Sequence, residues 1–418
     1  MLGFRPLIIA ALAALLAGAA AAAEPEEPSE VVRLGPGVHR GPITVDRPIV
    51  LDGGGVAVVE GPGKGSVVTV TAPGAVVRGL TIRGSGTSLE TMDSGVFLAQ
   101  SATGAKVLDN RVDGNLFGVY VHGARGALVE GNHIRGRSGL RLSESGNGVS
   151  VWNAPGAVVR GNDIANVRDG IFTVTSRDNR FEDNRFRDLR FAIHFMYTMN
   201  SVVAGNVSRG NHTGFAIMFS NNVEVRDNVA EASRDHGLML HAVNGSRVTG
   251  NRIVGGGQAL MAAPDELKKA NDDEERCLFI FNANKNEIRG NRVERCPIGV
   301  HVTAGSTGNK VAGNAFVANR TQVKFVGTRH QEWSDEGQGN YWSDHAAFDL
   351  DGDGIADEVY RPNDLVDQLV WTTPLAKALL NSPAVQLVRW SQAQFPALMP
   401  GGIVDSRPLM VPPSEPRG

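Results

Sequence analysis

The sequence predicts an all-β protein, namely a right-handed parallel β-helix with a small, mostly irregular or helical C-terminal segment. Asparagines recur every 22 residues at Asn162, Asn184, Asn206 and Asn228, and each follows a Gly or an Asp. Short segments of alternating apolar residues lie between these asparagines, without the apolar stripe of an amphipathic helix. A repeat of this length with turn residues at its corners is typical of a solenoid in which each copy forms one coil. We therefore expect roughly ten or more stacked coils.

The amino-acid composition gives no support for a nucleic-acid partner. The chain has 418 residues, 51 of them Gly, and a formal net charge of −3. Gly suits tight corners, and the absence of a stretch dense in Lys and Arg gives no electrostatic case for a nucleic-acid partner.

Three regions are predicted along the chain. Residues 1–23 are typical of a secretory signal peptide, with Arg5, an apolar run from Leu7 to Ala17 and small residues before Glu24. An N-terminal membrane anchor is the alternative. Residues 24–345 are predicted to form the β-helix and 346–418 a capping or docking segment. The predicted location of the mature protein is the periplasm of a cell with two membranes.

Two cysteines and a charged insertion lie late in the predicted solenoid. Cys277 and Cys296 are compatible with a disulfide, with buried free thiols or with metal ligation. Between Asn251 and Asn291 the spacing grows to 40 residues, and the excess, 264–276, is highly charged. This excursion is predicted to be a solvated loop, or alternatively a flap that contacts a partner.

An acidic loop follows the last coil. Asp349, Asp351, Asp353 and Asp357 are spaced like the first oxygen ligands of an EF-hand loop. Tyr360 stands where an EF-hand has its bidentate Glu, so the loop departs from that pattern. A Ca²⁺ site and an Asp/Gly turn without an ion are both compatible with these residues.

The C-terminal segment is predicted to contain two short helices. Thr373-Pro374 and Ser382-Pro383 resemble N-cap and first-turn pairs. The apolar residues that follow could cover the end of the solenoid or dock on a partner. They are Leu375, Leu379, Val385, Leu387, Val388 and Trp390.

Histidines and methionines cluster on the predicted outer face of three consecutive coils. The five side chains of this grid are His194, Met196, Met218, Met239 and His241. Alignment of the apolar segments predicts one outward column of His194, Met218 and Met239. The next column is then Met196, Ser220 and His241. Thioether and imidazole form a soft ligand set suited to Cu(I). Met-rich faces also serve as adaptable protein contacts, so both interpretations stay open.

Enzymatic constellations are weak in this sequence. Sugar-cleaving solenoids need a pair of carboxylates or a poised base beside the scissile bond. Tyr120 and Phe172 are predicted to share the outward face, but their coils offer no obvious acidic partners. A secreted carbohydrate-binding or polysaccharide-active β-helix stays as the alternative to a metal-binding protein. If the grid binds no metal, His122 and His301 are the next candidate ligands.

The sequence resembles the NosD family of periplasmic maturation factors of nitrous oxide reductase. The resemblance covers nearly all of the mature chain, and its late-coil and tail motifs are the most specific. The matching segments are Pro36 to Val38, Gly41 to Ile43, Asp46 to Pro48, Cys277 to Phe279, Ile298 to Ser306, Gly339 to Asp344, Asp349 to Asp357 and Asp405 to Met410. It implies a non-enzymatic protein that works with an ABC transporter (NosF and NosY) and the copper chaperone NosL to deliver copper to the reductase. It supplies no ligand motif, so the proposed copper residues rest on the column alignment alone.

Overall fold

Short parallel strands stack into a long solenoid. The computed structural model describes residues 28–256, 275–303, 305–327, 329–373, 379, 382–394 and 401–414. The predicted signal segment and nearly all of the charged excursion lie outside these residues.

One face of the solenoid is a sheet of twelve parallel strands, called the front sheet below. Each coil contributes one strand, and each strand pairs with the equivalent strand of the next coil. The strands are Ile43–Val45, Val68–Val70, Ser94–Leu98, Phe117–His122, Val149–Trp152, Asp169–Val174, Phe191–Met196, Thr213–Met218, His236–His241, Arg276–Phe281, Ile298–Thr303 and Thr321–Val326.

The rest of each coil belongs to a second sheet of 23 strands, called the back sheet. Most coils contribute two short strands to it, separated by a corner asparagine. The strands are Val31–Arg33, Gly37–Arg40, Val50–Glu60, Val76–Arg83, Lys106–Leu108, Arg111–Asn115, Leu128–Glu130, His133–Gly136, Val158–Arg160, Asp163–Ala165, Arg180–Glu182, Arg185–Arg187, Val202–Ala204, Val207–Arg209, Glu224–Arg226, Val229–Ser233, Arg247–Thr249, Arg252–Gly255, Glu287–Arg289, Arg292–Glu294, Lys310–Ala312, Ala315–Val317 and Tyr341–Trp342.

The core runs along the axis of the solenoid. Successive side chains of a strand point to opposite sides of a sheet. Ile193 and Phe195 are accordingly buried inside the coil, whereas His194 and Met196, which alternate with them, lie on the outer face and are half-buried. The predicted fold class is confirmed, and His194 and Met196 lie on the outer face as predicted.

The corner asparagines form a buried amide ladder. The side-chain NH₂ of Asn206 donates to the carbonyl oxygen of Phe181 at 2.8 Å and to Oδ1 of Asn228 at 3.0 Å. Its own Oδ1 accepts from the backbone N–H of Asn184 at 3.0 Å. Buried backbone groups at each corner are therefore paired, which explains why asparagine recurs there.

The two cysteines form a disulfide. Cys277 lies in the front sheet and Cys296 at the next corner, with Cα atoms 6.0 Å apart. Of the three alternatives for this pair, the structure shows the disulfide, so neither sulfur serves as a thiolate ligand.

Two helices, α1 (Leu365–Thr372) and α2 (Pro383–Gln394), follow the last coil. Thr373 is the C-cap of α1, and the helix predicted to begin at Thr373-Pro374 lies outside the described residues. At the start of α1, Asp364 and Asp367 form a capping box with each other's backbone N–H groups. The prediction for Pro383 is correct: it opens α2 after Ser382, whose hydroxyl accepts from the Val385 N–H at 3.4 Å.

The end of the solenoid is closed by the tail rather than by α2. Gly402–Val404 pairs in parallel with His330–Glu332, and the fully buried carboxylate of Asp405 accepts from Nε1 of Trp342 at 2.8 Å. Along α2, Leu387 and Trp390 stay 63% and 60% exposed. The apolar face of α2 is therefore left uncovered by the described residues. None of the described helices is long and apolar enough to cross a membrane.

Candidate metal-binding site

The strand register of the front sheet places the five grid residues in two adjacent outward columns. In the first column His194 lies opposite Ala216, and Ala216 lies opposite Met239. In the second column Met196 lies opposite Met218, and Met218 lies opposite His241.

This register corrects the predicted columns. Met218 belongs with Met196 and His241, and Ala216 takes the place predicted for Met218. Ser220 is in neither column, because it lies beyond the strand end, buried, with its hydroxyl accepting from the Thr198 N–H at 3.0 Å. The prediction aligned Ala192-Ile193 with Ala216-Ile217, which are 24 residues apart, and so departed by two residues from the 22-residue period.

The corrected register keeps the five candidate ligands on three adjacent coils. Neighbouring coils of a parallel sheet are about 4.8 Å apart, so Met196, Met218 and His241 follow one another at that spacing. His194 and Met239 flank them in the first column, two residues along the strands. Two thioethers and an imidazole therefore follow one another on adjacent coils.

Ala216 lies at the centre of this arrangement. The side chain of Ala216 points outward, yet it is 0% exposed because the larger side chains around it cover it. His194 and Met239 border it along the column, and Met218 borders it along the strand. The methyl group of Ala216 is the shortest side chain of the six in these two columns.

His194 is held in one orientation by buried groups. Its Nδ1 lies 3.0 Å from Oδ2 of Asp169, and Asp169 also accepts from Nε and Nη2 of Arg190 at 2.8 and 2.7 Å. Burial alone would raise the pKa of Asp169, but the hydrogen bonds from His194 and Arg190 outweigh this, and the pKa lies below its ordinary value. Asp169 is therefore a carboxylate that accepts the proton of His194 Nδ1.

His241 is available as a neutral ligand. Burial lowers its pKa below the ordinary value, because a charged imidazolium is poorly solvated there. Its ring packs 4.8 Å from the rings of both Phe219 and Phe281. A neutral imidazole retains a lone pair for a metal ion.

Two aromatic residues flank the second column in a strained backbone conformation. Tyr197 and Phe219 have φ values of 53° and 49°, in the left-handed region, and their rings stack 5.3 Å apart. Asn153 and Asn282, which tolerate this conformation, occupy the equivalent position in other coils. Thr175 and Ala242 also have positive φ at this position, so the conformation belongs to the repeated turn of the solenoid. The sequence analysis missed both residues.

The remaining candidate histidines lie outside the grid. His122 is in the second column but is separated from Met196 by Trp152 and Val174. His301 is in the first column, two coils beyond Met239. Tyr120 and Phe172 lie in the first column, as predicted.

The acidic loop brings three of its four predicted residues together. Ligand oxygens of Asp349, Asp351 and Asp353 lie within 4.8 Å of one another. Asp357 instead accepts from the Leu350 N–H at 2.8 Å. The carboxylates also accept from N–H groups of the loop itself. A Ca²⁺ site here stays a prediction.

Comparisons with known proteins identify the family. A family model described as "Periplasmic copper-binding protein (NosD)" matches residues 130–347. A protein of Stutzerimonas stutzeri named "Probable ABC transporter binding protein NosD" is 38% identical over 389 residues, which cover 92% of this chain and 87% of that protein. The chain belongs to the NosD family. A NosD protein of the same name from Pseudomonas aeruginosa is 39% identical over 390 residues, covering 92% of this chain and 89% of its own.

The NosD assignment confirms the resemblance noted in the sequence. The matched region, 130–347, contains all five residues of the grid together with Asp169, Arg190 and Ala216. Among solved structures, the A-module of the Azotobacter vinelandii mannuronan C-5 epimerase AlgE6 is similar, with a TM-score of 0.51 and 15% identity. The superposed region covers 71% of this chain and 86% of the module. At that identity the similarity shows the β-helix fold alone.

Proposed function

We propose that this NosD-family protein is a periplasmic accessory factor that carries Cu(I) on its front sheet and binds an ABC transporter. In this proposal the transporter subunits are NosF and NosY, the chaperone NosL is a further partner, and the copper is delivered to the copper centres of nitrous oxide reductase. The family description as periplasmic copper-binding proteins and the relatives' name as ABC transporter binding proteins support it.

The observation that carries the proposal is the pair of columns around Ala216. Met196, Met218 and Met239 supply thioethers, and His194 and His241 supply imidazoles, all from three adjacent coils. No carboxylate lies among these positions, and Asp169, which contacts His194, is fully buried and paired with Arg190 and His194. Soft, largely neutral ligands favour Cu(I) over Zn²⁺ or Ca²⁺.

The position of the site suits a carrier. The Met and His side chains are half-buried on an outer face rather than enclosed in a cavity. A partner's ligands can therefore approach the cargo ion from outside while the chain's own ligands leave one at a time. Copper is the transported cargo in this account, and no chemical transformation by the protein is needed.

The alternative, a polysaccharide-active or carbohydrate-binding protein, has support only from the shared fold. Its chemistry needs two carboxylates beside the substrate or a poised base. The side chain of Asp169 is 0% exposed and saturated with hydrogen bonds, so it offers neither function to a sugar on the front sheet.

Ala216, at the centre of the grid, provides a test that leaves every proposed ligand in place. We expect Ala216→Leu to weaken Cu(I) binding about tenfold or more, equivalent to about 1.4 kcal/mol, because its side chain occupies the position of the ion. Ala216→Ser, which is nearly the same size, is the matched control and should bind within about twofold of the parent. Competition with bicinchoninate under anaerobic conditions measures both affinities. Equal affinities for the Leu and Ser variants, with equal thermal midpoints, would place the ion elsewhere.

A further inference from the structure

We infer that Asp169 and Arg190 position His194, so that its proton stays on Nδ1 and Nε2 is presented as the metal-binding nitrogen. This inference rests on the proposed function for the identity of the ion. The positioning itself is a property of the metal-free protein and can be tested there.

The first step is the hydrogen bond between His194 and Asp169. The two atoms, Nδ1 and Oδ2, are 3.0 Å apart, and the side chain of Asp169 is 0% exposed. A carboxylate only accepts hydrogen bonds, so Nδ1 must carry the proton. In a neutral imidazole the other nitrogen, Nε2, then holds the free lone pair.

The second step is the role of Arg190. Its guanidinium donates to both carboxylate oxygens of Asp169, at 2.8 and 2.7 Å, in a bidentate pair. An unpaired buried carboxylate would tend to take up a proton, and the guanidinium prevents this. Arg190 also lies over the ring of Phe191, with its Cζ 4.5 Å from the ring centroid. The Asp169 carboxylate, which accepts the hydrogen bond from His194, is therefore kept ionised and held in position.

The third step is the packing of the imidazole ring. The ring of Phe172 lies 4.9 Å from it and the ring of Phe191 lies 4.7 Å from it. Only 12% of the His194 side chain is exposed. Rotation of the ring is restricted by this packing, so tautomer and orientation are set together. Carboxylates that hold a metal-binding histidine in this way commonly raise metal affinity 10- to 100-fold.

The same face provides an internal control. His236 also has a carboxylate beside Nδ1, since Oδ2 of Asp235 is 2.8 Å away, although this contact lacks hydrogen-bond geometry. Nε2 of His236, however, faces Nη1 of Arg276 at 3.5 Å. A cation at that nitrogen makes His236 a poor metal ligand, so the pair formed by Asp235 and His236 should not affect copper binding.

The test reads the tautomer first, in the metal-free full-length mature protein. ¹⁵N NMR with labelled histidine, assigned with a His194→Gln variant, should show His194 protonated at Nδ1 and bare at Nε2. A parent protein with the proton on Nε2 of His194 would overturn the inference. The reading is independent of the proposed function, because no copper is present.

The second measurement compares Asp169→Asn with Asp235→Asn. An amide has one accepting oxygen, whereas Arg190 and His194 together use both carboxylate oxygens, so Asp169→Asn should lose the single Nδ1–H tautomer. We expect its Cu(I) affinity to fall about 10- to 100-fold, while Asp235→Asn keeps the affinity of the parent. An unchanged His194 tautomer and affinity in folded Asp169→Asn would contradict the inference. Absence of Cu(I) binding in a parent with the expected tautomer would instead contradict the proposed function.

Discussion

A variant with both Met218→Leu and Met239→Leu is expected to fold like the parent and to bind Cu(I) about 100-fold more weakly, a loss of about 2.8 kcal/mol. Leu fills nearly the volume of Met but has no sulfur lone pair, so the substitution removes two ligands with little effect on packing. Both residues lie on the outer face, where they contribute little to the core. In cells, the variant should leave nitrous oxide reductase without its full copper content.

Met199→Leu is the matched control for this variant. Met199 lies in the turn beyond the front-sheet strand, and its sulfur accepts from the Asn221 N–H at 3.3 Å. The same chemical change away from the grid should leave Cu(I) affinity unchanged. If the double variant and Met199→Leu bound Cu(I) equally well, the methionines of the front sheet would be a protein-contact surface and not a copper site.

The second large effect is expected at the exposed face of α2. Leu387 and Trp390 are three residues apart on one side of the helix, and both are mostly exposed. Arg389 pairs with Asp364 at 3.2 Å and so ties α2 to the start of α1. We propose that this apolar face docks on the membrane component of the transporter. Leu387→Glu with Trp390→Glu should weaken the complex with detergent-solubilised transporter about 30-fold, as loss of an interface hot spot of about 2 kcal/mol predicts.

Leu350→Glu controls for the added charge, because Leu350 is 85% exposed and lies in the acidic loop outside the two helices. Its complex should form with the affinity of the parent. Cu(I) affinity should be unchanged in both α2 and loop variants, since neither surface contacts the front-sheet columns. Normal complex formation by the α2 double variant would show that this helix is not the docking surface.

The fold was predictable because the repeat expresses a local physical requirement in every coil. An amide is needed at each corner to pair buried backbone groups, and alternation separates core from surface. Counting 22 residues from His194 leads to Ala216, and counting 22 from Met196 leads to Met218, so the true columns were present in the spacing. The local similarity of the two Ala-Ile pairs predicted the strand register less well than the 22-residue spacing did, and an alignment based on that similarity gave the wrong register.

Other features of the site were beyond sequence reasoning. Asp169 is 25 residues from His194 and reaches it only because the preceding coil lies directly alongside. Its partner Arg190 precedes the next strand by one residue, where nothing in the sequence distinguishes it from the other arginines. The positive φ of Tyr197 and Phe219 was likewise hidden, because such residues rarely adopt it.

The most direct test of a copper site on the front sheet is an anomalous difference map at the copper K edge. Crystals of the full-length mature protein would be loaded with one equivalent of Cu(I) without oxygen. We predict one strong peak over Ala216, within bonding distance of at least one of the sulfurs of Met218 and Met239 and of a nitrogen of His194 or His241. A peak beside His122, beside His301 or in the acidic loop, with none over Ala216, would contradict this assignment.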